Sequence, residues 1–234
     1  VATETTAGAT ETTASAGALP DLDGRSVTVA VENLYTPFNF IDEDTGEAPD
    51  WLDGSTVLRV NGMRVGVIGA TVRATPELVR ADATAGLVFL DEAERIARES
   101  RMLRRRGIKV QVVVIHEGAV SGSNALDGAA AQPWDGPIIG ITEALQSTTI
   151  DLVIAGHTHR AANTVVGRIP VIEGFNAGAS YSVAQLMLSR GDVVWAGTAN
   201  RTAKNLGVAS RPDVQAIVDT ANEETAELRA ETEQ

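Results

Sequence analysis

Apolar and polar positions along this chain follow two periods that take turns. Val27-Thr28-Val29-Ala30-Val31 has the strand's period of two. Thr56 to Val60 and Met63 to Gly69 are two more β-rich runs, and Asn61-Gly62 between them predicts a hairpin. Asp91 opens a helical stretch in which Ala93, Ile96, Ala97 and Leu103 recur at helical spacing. Arg104-Arg105-Arg106 before Gly107 suits its C-terminal end, as Asp suits its start. Val110 to Ile115 is apolar except for Gln111, the pattern of a strand covered on both faces. Pro137 to Leu145 predicts a helix and Asp151 to Ala155 a second buried strand. The alternation of strand and helix predicts an α/β architecture.

Beyond His159 the pattern changes to short strands at Pro170 to Ile172, Val183 to Leu188 and Val193 to Trp195, the last two separated by Arg190-Gly191-Asp192. Ser210 with Pro212 and Asp213 predicts a helix start capped by Ser210, followed by Val214, Ile217, Val218 and Ala221 on one face. Asn33 to Asp50 is rich in Pro, Asp, Glu and Gly and reads as loop with at most a short extended piece. Val1 to Ala18 is almost wholly Ala, Thr, Gly, Ser and Glu; it has too little apolar surface to offset its ordering entropy and predicts a disordered tether. Such a tether, and a first residue that is not Met, are expected of an exported chain held at the cell envelope.

Composition narrows the partners. A formal charge of -12 argues against a nucleic-acid polymer, which needs a surplus of Lys and Arg. A small phosphorylated substrate stays open, because divalent cations can supply local positive charge. There is no cysteine, so neither a disulfide nor a thiolate metal site can form. No run of eighteen apolar residues is present to make a transmembrane helix.

The chemistry rests on three histidines, all at the ends of predicted buried strands: His116, His157 and His159. Ligands bind beyond the carboxyl ends of strands in open α/β sheets. Alternate residues of an extended loop point the same way, which predicts that His157 and His159 face one cleft. Neutral imidazoles suit Zn, Mn, Fe or Ni, and Gly156 lets the backbone turn tightly.

Val114-Ile-His-Glu-Gly118 and Asp151-Leu-Val-Ile-Ala-Gly-His-Thr-His159 resemble the last two metal-binding motifs of calcineurin-like metallophosphoesterases of the bacterial 5'-nucleotidase branch. The resemblance runs from about Gly46 onward through Glu47 to Trp51, Val60 to Gly69, Pro133 to Pro137 and Ile172 to Ser182. It implies a partial αββα sandwich and a nucleotide-dephosphorylating hydrolase. It also implies His116 and His157 on one divalent metal ion, of the Zn or Mn kind, and His159 on a second. Asn176, Gly178 and Tyr181 follow the metal loop and are candidate substrate-binding residues.

The family's Asp-x-His, Gly-Asp and Gly-Asn-His motifs are missing: no histidine precedes His116, which makes the first and last impossible, and a bridging carboxylate from Asp42 or Asp44 would lack its partners. The expectation is one bound metal or none, and impaired or absent activity; no catalytic residue is identified. Gly24 to Gly46 resembles instead the opening of an extracytoplasmic solute-binding protein, with Tyr35, Phe38 and Phe40 in its ligand loop. The expected divisions are a tether over 1–22, a solute-binding-like strand and loop over 23–46, a partial metallophosphoesterase domain over 47–209, and a helix over 210–234 at the position of the family's interdomain linker. The alternative function is an extracytoplasmic solute-binding or non-catalytic envelope protein.

Overall fold

The computed structural model describes residues 40–42, 53–128, 130, 133–204, 207 and 209–226. The predicted strand at Val27–Val31, the aromatic loop before Phe40, the junction through Trp51 and the tether lie outside the described residues.

Strands β2 (Ser55–Val60) and β3 (Met63–Thr71) form the expected hairpin. Asn61 and Gly62 sit at φ 49° and 80°, the left-handed pair that a two-residue turn requires and that Asn-Gly supplies cheaply. A short helix α1 (Thr75–Leu78) and a 3-10 turn lead to β4 (Leu87–Phe89). It pairs antiparallel with β1 (Phe40–Asp42), so the predicted loop does hold a short extended piece. Helix α2 (Glu92–Arg105) is capped as its sequence indicates, the Asp91 carboxylate accepting from Glu94 N at 2.9 Å. After β5 (Val110–His116) come α3 (Pro137–Ala144), β6 (Leu152–Ala155), β7 (Asn163–Val166) and β8 (Ile169–Glu173).

Six strands join in the order β2-β3-β5-β6-β8-β7, the four inner ones parallel and the two edge strands antiparallel to their neighbours. On one face, Ile96 and Leu103 of α2 and Ile138 of α3 pack with Ile68, Val113, Ile115, Val153 and Val171. Gln111 points to this face and is fully buried, and its amide is satisfied: it accepts from Ser100 Oγ at 2.6 Å and donates to Ser100 O and Ile108 O.

The opposite face is covered by a second sheet, the hairpin of β9 (Ser180–Ser189) and β10 (Asp192–Thr202). Ala184, Leu186, Leu188 and Val193 meet Val65, Val110, Val112, Leu152 and Ile172 there. Helices, central sheet and hairpin sheet are thus three consecutive layers of the αββα arrangement. These two strands are longer than the short runs predicted, and β7 was not anticipated at all. Asn200 at the end of the hairpin is buried and donates to Ala162 O and Glu173 O, which fixes the hairpin to the rim of the central sheet.

The C-terminal unit, from Ala203 on, holds helix α4 (Pro212–Glu224). Its N-cap is Arg211 rather than Ser210, with no side-chain cap bond. Pro212 at the first helical position sets the start by its fixed φ, and Arg211 closes an ion pair with Asp213 that occupies the first turn. Val214, Ile217 and Val218 of the predicted apolar stripe are exposed.

Candidate metal site at the strand ends

Three adjacent parallel strands, β5, β6 and β8, end at one rim of the central sheet. Each delivers part of the site. His116 is the last residue of β5; Gly156 to His159 follow β6; Glu173 ends β8, directly opposite Ala155.

The structure brings His116 and His157 together. His116 Nε2 and His157 Nδ1 lie 3.1 Å apart, with ring centroids separated by 4.8 Å and planes at 65°. Burial pushes the His116 pKa down, and the neighbouring His157 and His159 add to the effect. A neutral imidazole keeps a lone pair that can hold a metal ion. Two nitrogens this close can both reach a single ion at the usual Zn–N length of about 2.0–2.1 Å. The pair therefore fits as two ligands of one ion. Among the described residues, no group of three or more His, Asp or Glu could hold one, so His159 does not complete a three-histidine cluster.

His157 and His159 have φ of 78° and 56°, in the left-handed region, not the extended loop that alternation presumed. The loop is therefore turned rather than extended, and His159 is still near enough to His116 to help lower its pKa.

What holds so sharp a loop is a buried carboxyl that the sequence reading passed over. Glu173 is fully buried. Its Oε2 accepts from Ala119 N at 3.1 Å and its Oε1 from Arg160 N at 3.3 Å. The Thr158 hydroxyl lies 2.8 and 3.0 Å from the two Glu173 oxygens and 2.6 Å from Ala119 O. One hydroxyl proton serves one acceptor at a time. Burial pushes the Glu173 pKa up, against the opposing hydrogen bonds from Thr158, Ala119 and Arg160. Gly156 N also donates to Glu117 O at 3.2 Å. Gly118 sits where these loops touch: a Cβ there would collide with Gly156 O and Thr158 Oγ1 and lie 2.7 Å from Glu173 Oε2. The sequence signal for Glu173 was present, a carboxylate closing the apolar run Ile169 to Ile172 at the same rim as the histidines.

Glu117, next to His116, is buried as well. Its pKa is raised by burial although its carboxylate accepts from Gly118 N at 2.9 Å. It lines a cleft of about 620 Å³ together with Arg73, Glu77, Phe89 and Glu92. Three carboxylates against one guanidinium make this cleft unwelcoming to a bare phosphate.

Asn176 and Gly178 lie in the turn after Glu173, where Ala179 N donates to Asn176 O and Gly178 has φ 67°. Tyr181 follows on β9 and is 55% exposed. Asp42 ends β1 opposite Leu87, and Asp44 lies outside the described residues.

Comparison with known proteins agrees on the fold. The chain is 29% identical over 188 residues to the cell wall protein Lmo0130 of Listeria monocytogenes, matching 78% of this chain and 24% of that protein. It is 24% identical over 148 residues to the endonuclease YhcR of Bacillus subtilis, matching 63% of this chain and 11% of that one. The chain thus spans a quarter or less of each of these relatives. No protein-family model matches it.

Among solved structures, the sulfate thiohydrolase SoxB of Thermus thermophilus superposes with a TM-score of 0.65 at 19% identity, over 82% of this chain and 32% of SoxB. The 5'-nucleotidase precursor of Thermus thermophilus gives 0.63 at 15%, over 82% and 38%. The calcineurin-like phosphoesterase YfkN of Bacillus subtilis gives 0.53 at 17%, over 87% and 62%. At these identities the likeness is one of fold. The chain has, in part, the fold of the 5'-nucleotidases and calcineurin-like phosphoesterases.

Proposed function

We propose that this chain is part of a metal-dependent phosphoester hydrolase of the 5'-nucleotidase type, placed outside the cytoplasm at the cell envelope. The observation that carries the reading is the convergence of His116 Nε2 and His157 Nδ1 to 3.1 Å at the carboxyl rim of a parallel sheet of this fold. His116 and His157 would hold one divalent ion of the Zn or Mn kind, and His159 would contribute to a second. Bound there, the metal supplies a Lewis acid for a phosphoryl oxygen and an activated water.

The substrate is a small phosphorylated molecule such as a nucleotide. A net charge of -12 favours a nucleotide over a polymer, although one relative is named an endonuclease. Asn176, Gly178 and Tyr181 are the proposed substrate contacts. The relative named a cell wall protein and the sequence's tether support the location.

On its own this chain turns over slowly or not at all, because no histidine precedes His116 to complete the family's ligand set. Thermal melts with and without Zn²⁺ or Mn²⁺, beside AMP turnover, test both statements. Metal should raise the melting temperature of the wild type and leave His116→Ala and His157→Ala unmoved. Equal stabilisation of all three proteins would overturn the metal site, and AMP turnover well above His157→Ala would overturn the claim of impairment.

A further inference from the structure

We propose that Glu173 is the positioning residue of the histidine pair, acting through Thr158 to fasten the His116 loop to the His157 loop. The inference rests on reading those histidines as the working site. It deepens that reading by saying what sets their distance.

Neither loop is held by regular structure. Ala119 and Gly156 to Arg160 lie outside strands and helices, and His157 and His159 adopt left-handed backbone that non-glycine residues enter only when their surroundings impose it. Glu173 is the common partner of both segments. One oxygen accepts from Ala119 N on the first loop and the other from Arg160 N on the second, while the Thr158 hydroxyl between the two histidines bridges Glu173 and Ala119 O. The carboxyl cannot drift, because it is fully buried and its own backbone carbonyl accepts from Asn200 at 2.9 Å. Gly118 leaves no space between the loops for a side chain. Removing the carboxyl would strand the buried Ala119 N–H, take the acceptor from Arg160 N and free the loop that carries His157.

The chain has only three histidines, so their ring signals are individually resolvable by long-range ¹H–¹⁵N spectra. The test uses metal-free protein, and its outcome is therefore independent of whether an ion binds. In the wild type the His116 and His157 rings should each show one fixed tautomer, as their direct contact requires. Thr158→Val, which keeps the shape and removes the hydroxyl, should convert both rings to averaged tautomers, and Thr158→Ser should restore the wild-type pattern. Glu173→Ala should do the same as Thr158→Val. Glu173→Gln should fall between, because both carboxyl oxygens accept from N–H groups and an amide can replace only one.

Added Zn²⁺ should then bind about 10–100-fold more weakly to Thr158→Val than to Thr158→Ser, the usual penalty for losing an orienting partner. Folded Thr158→Val protein with unchanged His116 and His157 signals would overturn the proposal. So would a Thr158→Ser variant as disturbed as Thr158→Val. Folded Glu173→Ala with wild-type His116 and His157 signals would overturn it too, and if that variant fails to fold, an unchanged pattern in Glu173→Gln does so.

Discussion

Gly118→Ala is the smallest change that drives a wedge between the two histidine loops. Gly118 does not have a left-handed φ, so alanine brings no conformational strain of its own. Away from other atoms it would add stability, by about 0.4–1 kcal/mol, through a stiffer unfolded chain. The contacts reverse that sign. The new Cβ would collide with Thr158 Oγ1, which can rotate, and with Gly156 O, which is backbone and cannot move alone.

The loops must part by roughly 1 Å to restore normal contact distance. Overpacking of this kind costs about 1–3 kcal/mol. Parting the loops also stretches the Gly156 N–Glu117 O and Thr158–Ala119 bonds, at about 1 kcal/mol each. A net loss of about 2–4 kcal/mol follows, equal to a fall of roughly 5–15 °C in melting temperature for a unit of this size. Urea titration gives the free energy, and the histidine ring spectra report whether the 3.1 Å contact survives. A variant as stable as wild type, within about 0.5 kcal/mol, would refute the tight-loop reasoning.

Asp151 tests the electrostatics. Burial raises its pKa from 3.8 to about 6, against opposing hydrogen bonding from Gln111 N and attraction to Arg168. With the folded value above the unfolded one, this group's contribution to stability is complete below pH 3.8 and falls away as pH rises to about 6. Asp151→Asn keeps an acceptor for Gln111 N, so it should gain about 1–2 kcal/mol at pH 7.5, after discounting for partial exposure, and nothing at pH 4 by urea titration.

Leu103→Ala should cost about 2–5 kcal/mol, since Leu103 is fully buried beneath α2 and faces Gly66 of β3, which has no side chain to fill the void. Gln111→Leu should be destabilising by about 1–3 kcal/mol even though it is more apolar, because it takes the side-chain donor from Ile108 O and the acceptor from the Ser100 hydroxyl. Chelation with EDTA should lower the melting temperature of metal-loaded wild type and leave His157→Ala unchanged.

Much of this fold could be read directly from local patterns. The Asn61-Gly62 hairpin, the Asp91-capped helix and the two apolar strands that carry the histidines each have a signal confined to a few neighbouring residues. Helix Thr75–Leu78 and strand Leu87–Phe89 did not, nor did two larger features. The strand Asn163–Val166 begins with polar residues, and only its pairing with Ile169–Glu173 makes it a strand. The hairpin over Ser180–Thr202 is mostly half-buried, which blurs its alternation and hides its length.

In the site, that strand ends would gather His116 and His157 followed from the sheet rule. The sharp turn through Gly156 to His159 did not, because it depends on Glu173, Thr158 and Gly118 meeting in space. The N-cap at Arg211 in place of Ser210 is a one-residue error of the kind caps invite.

The parallel pairing of Val110–His116 with Leu152–Ala155 has a kinetic consequence. These strands are joined by the crossover 117–151, so their contact closes a long loop, whereas Ser55–Thr71 and Ser180–Thr202 can zip up as local hairpins. During refolding, far-ultraviolet signal from those hairpins should therefore appear before any capacity to capture Zn²⁺. An ion added early would find no partner, and the appearance of metal binding would mark the moment the central strands align.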